Sequence, residues 1–150
     1  MPSSLALILD PNVEYFLSLT TGGGDGIYRE VGSEGEVVAQ DPVALKVDVG
    51  TMCGWVSNRM ARIFSTTESD SVAAPTGGGA GDLRRIDRVQ FTVGEGVNIV
   101  TGSESATPSA PALESDSMSL ALIYCRNGMT SIKDADDSSN GYIVDDRSYL

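Results

Sequence analysis

The most constraining feature of this chain is a two-residue period. Leu45, Val47 and Val49 alternate with Lys46 and Asp48, and Val89, Phe91 and Val93 alternate with Arg88, Gln90 and Thr92. Side chains that repeat every second residue lie on one face of a strand, so each run reads as half-buried β structure. No window of a dozen residues carries the 3,4 spacing of an amphipathic helix. The best place for even one helical turn is Asp134 to Ser138.

Turn signals cut the chain at short intervals. TTGGGDG (20–26) and APTGGGAGD (74–82) read as flexible loops. SNR (57–59), GEG (94–96) and RNGM (126–129) read as turns, because Gly and Asn supply the backbone conformations that tight turns need. The strand candidates between them are VEYFLSL (13–19), IYREV (27–31), EVVAQ (36–40), VDV (47–49), MCGWV (52–56), MARIFSTT (60–67), RRIDRVQFTV (84–93), VNIVT (97–101), SMSLALIYC (117–125), TSIK (130–133) and YIVDD (142–146). SESATPSAPALESD (103–116) holds two prolines and no period, so it reads as an extended crossover rather than a central strand. Many short strands with frequent turns give an all-β class, a β-sandwich or jelly-roll-like domain. We place that domain at residues 45–150, preceded by an extended or hairpin segment at 1–44.

Charge narrows the partners. Twenty-one acids against ten bases give a formal net charge of −11. A nucleic-acid binder gains affinity by neutralising phosphates, so this sign argues against one, and anionic membranes are disfavoured for the same reason. Half of the bases are Arg59, Arg62, Arg84, Arg85 and Arg88, expected to pair with nearby acids. The N-terminus has no basic region before its apolar run, which Asp10 and Pro11 interrupt. A secretory signal is therefore not expected, and no run approaches a membrane span.

The chemistry is thin. The chain has no histidine, which removes the commonest general base and every Ser–His or Cys–His nucleophile pair. Cys53 and Cys125 lie in apolar runs and read as buried free thiols; two cysteines without histidine do not make an ordinary zinc site. Asp134, Asp136, Ser138, Asn140 and Asp145 match positions 1, 3, 5, 7 and 12 of a calcium loop. However, Ser139 stands where that loop needs glycine, and no helices flank it. Acids in a Ser/Asn/Gly loop are ordinarily just solvated, though a carboxylate pair could in principle cut a glycosidic bond. The GEG and GGG stretches lack the remaining residues of dinucleotide or phosphate loops. No catalytic residue, cofactor or metal is expected. Tyr15, Phe16, Tyr28, Trp55 and Phe64 read as core or interface residues, with a sugar-binding platform built on Trp55 as the sharper alternative.

From Leu45 onward, seven pieces stand in a recognisable order: VDVG (47–50), GWVSN (54–58), RRIDRV (84–89), ATPSAPAL (106–113), LALIY (120–124), GMTSI (128–132) and IVDDR (143–147). This order resembles a recurrent module of tailed-bacteriophage virion proteins, found at tail-fibre bases, in baseplate-associated proteins and in head fibre or decoration proteins. The likeness spans roughly two thirds of the chain, an order-of-magnitude share that fits one module of domain size. The module is commonly part of a much longer fibre protein, whereas here it is nearly the whole chain, and residues 1–44 show no family-style N-terminal part.

The resemblance implies a non-enzymatic structural protein of the virion, assembled in the host cytoplasm. It implies a homotrimer that contacts other virion proteins in the tail, baseplate or capsid. The candidate structural and interface residues are Trp55, Arg85, Asp87, Arg147, Tyr15 and Phe16. Ile86, Val89 and Phe91 are expected to hold their strand in the core, and Asp87 to orient Arg85 or Arg147 through a charge-assisted pair.

Overall fold

A computed structural model describes residues 24–150. Every regular element among them is a strand: β1 (Gly26–Ile27), β2 (Val37–Ala39), β3 (Val47–Val49), β4 (Met52–Val56), β5 (Arg59–Ile63), β6 (Thr67–Glu68), β7 (Leu83–Thr92), β8 (Gly96–Val100), β9 (Ser117–Arg126), β10 (Ile132–Lys133) and β11 (Gly141–Asp145). They form a five-stranded sheet in the order β10-β11-β9-β7-β8 and two three-stranded sheets, β1-β4-β5 and β2-β3-β6. The protein is all-β and sandwich-like. One apolar cluster is shared by all three sheets: Ile27 and Val56 come from the first small sheet, Val47 and Val49 from the second, and Val89, Leu120 and Ile123 from the large one.

The alternation read from the sequence places these residues. Val47 and Val49 turn inward while Asp48 stays half-exposed. The β4–β5 hairpin closes through Ser57 and Asn58, with φ of 48° and 61°. That is the two-residue turn whose twist suits paired strands, and asparagine tolerates its left-handed backbone.

Strands β7 and β9 run ten residues each and form the spine. Their register shifts between Val89 and Gln90, because Val89 pairs with Ala121 and Gln90 with Ser119. The extra residue, Leu120, is fully buried, so the bulge adds one more apolar side chain to the core.

Residues 24–44 are built into the same body. Ile27 is in the shared core, β1 pairs with β4, and Val37 of β2 pairs with Val49. The proposed 13–19 strand, with Tyr15 and Phe16, lies outside the described residues.

Two expectations need correction. No helical turn forms at 134–138, because the Asp136 and Asp137 carboxylates take the backbone N–H groups of Ser138, Ser139 and Asn140. Such side-chain capture competes with helix formation. Ile86 is buried, but alternation turns it to the face opposite Val89 and Phe91, and it lies outside the shared core. Of the two readings given for Phe64, core or interface, burial leaves only the second: it is 78% exposed, with the Arg62 guanidinium 4.5 Å from its ring centroid.

Candidate functional site

Chemistry-bearing side chains concentrate on the two faces of the β7–β9 pair. Arg85, Asp87 and Val89 share one face with their β9 partners Cys125, Ile123 and Ala121. The Arg85 Nε donates to Asp87 Oδ1 at 2.7 Å and its Nη2 to Asp87 Oδ2 at 2.9 Å. Arg85 Nη2 also donates to the Ala73 carbonyl at 2.6 Å, and Glu104 lies 3.8 Å from Nη1. Asp87 further accepts the Gly102 N–H at 2.9 Å. Burial works against the Arg85 charge, but the hydrogen bonds and charge of Asp87 outweigh it and raise its pKa. The pair therefore ties β7 to the segments on either side of it.

The Cys125 thiol is 3.7 Å from Asp87 Oδ2. Burial, followed by the neighbouring carboxylate, pushes its pKa up to about 12. It is held as a thiol and is no nucleophile at neutral pH. Cys53 is partly buried, and burial raises its pKa too. Both cysteines are free.

The other face of β7 carries a buried polar network that its sequence pattern places at the surface. Gln90 Nε2 donates to Glu114 at 2.6 Å, Thr92 and Ser117 share a hydroxyl bond of 2.7 Å, and Asn98 donates to Thr92 at 2.8 Å. Arg88 reaches Ser119 and Asp146, both at 2.6 Å, and the Pro111 carbonyl at 3.1 Å. The proline-rich crossover lies over this face and satisfies its donors. A two-residue period shows which face a residue takes, but not that a loop will cover it, so this network has no local signal in the sequence.

The C-terminal acids are occupied by structural partners. Asp134 accepts the Ala39 N–H at 2.6 Å, and Asp136 accepts twice from Arg126, at 2.9 and 2.8 Å. The Asn140 side chain and the backbone N–H groups of Asn140 and Ser139 hold the Asp137 carboxyl down at about 2. Asp145 pairs with Arg147 at 2.7 and 2.8 Å, which lowers its pKa. Arg147 also donates to the Glu34 carbonyl at 2.8 Å. Of the two partners considered for Asp87, the structure selects Arg85; Arg147 instead joins the C-terminus to residues 32–34. Among the described residues no three His, Cys, Asp or Glu side chains are grouped to hold a metal ion, and the Asp134 and Asp136 carboxylates answer to different elements.

Trp55 is 3% exposed, so its ring is not a platform for a sugar. Two surface hollows lie near these residues. One of about 260 Å³ is lined by Tyr28, Glu34, Cys53, Arg62 and Phe64. Another of about 370 Å³ is lined by Glu36, Val38, Asp134, Ile143 and Arg147. Neither brings a nucleophile to a general base. Comparison with family models, with curated proteins and with solved structures gives no match to this chain.

Proposed function

We propose that this chain is a non-enzymatic structural protein of a tailed-bacteriophage virion, a module associated with the tail or fibre base that forms a homotrimer and docks to other virion proteins. The observation that carries the reading is what the motif residues do. RRIDRV supplies a buried ion pair and the central strand, ATPSAPAL is the crossover over that strand, LALIY is its partner, and GMTSI and IVDDR reach the adjoining strands β10 and β11. These are scaffold roles, and they follow the order on which the resemblance rests.

Two surface features suit assembly. The outer edge of β5 has no strand partner among the described residues, and a bare edge is a ready template for pairing. Val31 and Phe64 are 80% and 78% exposed, large apolar contacts for a neighbouring subunit. A net charge of −11 favours a second address for the same fold, a decoration protein that stays soluble until it adds to a finished capsid. The glycan-binding reading required an exposed Trp55, and the buried ring counts against it.

The test is the native mass of the purified chain by light scattering, with and without a calcium chelator. A trimer insensitive to chelator is the expected result. A monomer removes the trimeric fibre-base reading and leaves the decoration protein as the form to pursue. A trimer that dissociates with chelator would overturn the assignment of the 134–145 loop as purely structural.

A further inference from the structure

Val31 and Phe64 are the two most exposed large apolar side chains among the described residues, and one stretch of surface carries both. Val31 stands on a loop that is tied down from several sides. The Glu34 carboxylate accepts the backbone N–H groups of Glu30, Val31 and Gly32. The Gly32 carbonyl accepts the Tyr149 hydroxyl at 3.0 Å, and the Glu34 carbonyl accepts Arg147 at 2.8 Å. Val31 is therefore a fixed apolar knob, and a partner that binds it does not have to order the loop. Glu30 and Glu34 line the hollow of about 260 Å³ that Arg62, Ile63 and Phe64 also line. The same three residues line a further hollow of about 380 Å³, completed by Phe91, Glu95 and Val97. Arg62, Ile63 and Phe64 thus form a ridge between the two hollows. The larger one reaches the apolar core, because Ile63 and Phe91 belong to that core and Val97 packs against it.

We propose that the Val31 knob of one copy of this chain seats in the hollow of about 380 Å³ on the next copy, with the Phe64 ridges gathered at a three-fold axis. This contact rests on the homotrimer reading above and names the surface that the trimer uses. Charge selects a second copy as the occupant. The knob carries Glu30 and the hollow carries Arg62, and among the described residues neither has an ion-pair partner. Arg62 instead stacks on the Phe64 ring. Arg29 beside the knob and Glu95 in the hollow repeat the match with the signs exchanged, and they too lack an ion pair among the described residues. A uniformly acidic or basic partner would satisfy one of these pairs and oppose the other, whereas this chain supplies both complements. Opposite charges facing each other across an interface fix its register and exclude wrong partners. Knob and hollow are different surfaces, so the contact is head-to-tail, the kind that closes as a ring. The ridge lies between them and so faces its own copies at the axis, where the exposed Phe64 rings cover one another.

The test is native mass by light scattering over a dilution series, for the full chain and its variants. Val31→Asp and Phe64→Asp change exposed side chains and should keep the β-sheet circular dichroism. Each should raise the concentration at which the trimer dissociates by about tenfold or more. Should either lose its circular dichroism, Val31→Ser or Phe64→Ser takes its place. Glu30→Arg and Arg62→Glu should each weaken the trimer, and the two together in one chain should restore it. A trimer unchanged by Val31→Asp and Phe64→Asp would overturn this contact and leave the trimer itself standing. A double charge exchange that restores nothing would show that Glu30 and Arg62 do not meet, which also overturns it. A parent dimer would put a two-fold contact in place of the head-to-tail one. A parent chain that is monomeric at every concentration would remove the homotrimer reading, and this contact with it.

Discussion

Asp87 holds Arg85 two residues away on the same strand through two hydrogen bonds, of 2.7 and 2.9 Å, with the two residues 1% and 6% exposed. Residues i and i+2 share a face of β7, so the pair stands among Val89, Cys125 and Ile123 rather than in water. Removing one partner of such a pair strands the other charge. Asp87→Ala is expected to cost about 3–5 kcal/mol in urea unfolding. Arg85→Met with Asp87→Leu should recover most of that loss but not all, because the Gly102 N–H still loses its acceptor, worth about 1–3 kcal/mol. A loss under about 1 kcal/mol for Asp87→Ala, the scale of a surface pair, would show the pair is solvated.

Val89 is fully buried at the centre of the same face. Val89→Asp would place an unpaired carboxylate in the shared core, and burial of such a charge is prohibitive. The variant should not accumulate as soluble folded protein. Normal yield with an unchanged melting curve would refute the strand assignment.

How far the sequence could be read depends on whether the deciding interaction is local. Val47, Val49, Val89 and Phe91 announce their inward faces by alternation, and Ser57–Asn58 announces its turn by residue type. The 103–116 crossover is legible from Pro108 and Pro111. The burial of Gln90, Thr92 and Ser117 is not, because the cover over them comes from a distant segment whose path no local pattern specifies. Trp55 reads simply as core or interface, and only its pairing partner on β5 shows that it takes the face opposite the core cluster. At 134–138, helix propensity loses to carboxylates that cap their own backbone. The Arg85–Asp87 pair was accessible because two opposite charges spaced by two must share a face. The Arg147–Asp145 pair is also spaced by two, but Arg147 lies beyond the end of β11, where no strand period marks the pairing.

Gly102 marks a close approach of two backbones. A β-carbon there would lie 2.1 Å from the Ile86 carbonyl oxygen, and the Gly102 N–H is already committed to Asp87. Gly102→Ala must push the strand end away from β7 and stretch that bond. A loss of about 1–3 kcal/mol is expected from the overpacking. Gly94→Ala offers the contrast, since its β-carbon would meet nothing within 4 Å and only its φ of 89° is strained. Equal melting temperatures for Gly102→Ala and the parent chain would contradict the approach.

Acid stability should depend on the 134–140 loop. Asp137 has a folded pKa of about 2 against an ordinary 3.8, because Asn140 and Ser139 donate to the charged form. A depressed carboxyl contributes stability that is complete above its unfolded pKa and fades as pH falls through the folded one. Asp137→Ala should therefore be less stable than the parent at pH 6, with the gap closing between pH 4 and about 2. A gap that widens on acidification would reverse the sign and exclude the hydrogen-bonded carboxylate as its source.

The β4–β5 turn should be open to improvement. Ser57 and Asn58 both adopt positive φ, 48° and 61°, and the pair most suited to that turn is Asn-Gly. Ser57 contributes its backbone N–H to Asp25 Oδ1 at 2.9 Å, a bond that any non-proline residue keeps. Ser57→Asn eases the left-handed strain at the first position and Asn58→Gly removes it at the second, without touching that contact. The gain expected is about 0.5–2 kcal/mol, seen as a rise of roughly 2 °C or more in melting temperature for a domain of this size. Asn58→Val, a β-branched residue forced to the same φ, should lower it. If both variants melt with the parent, the hairpin end is frayed and does not contribute to the cooperative unit.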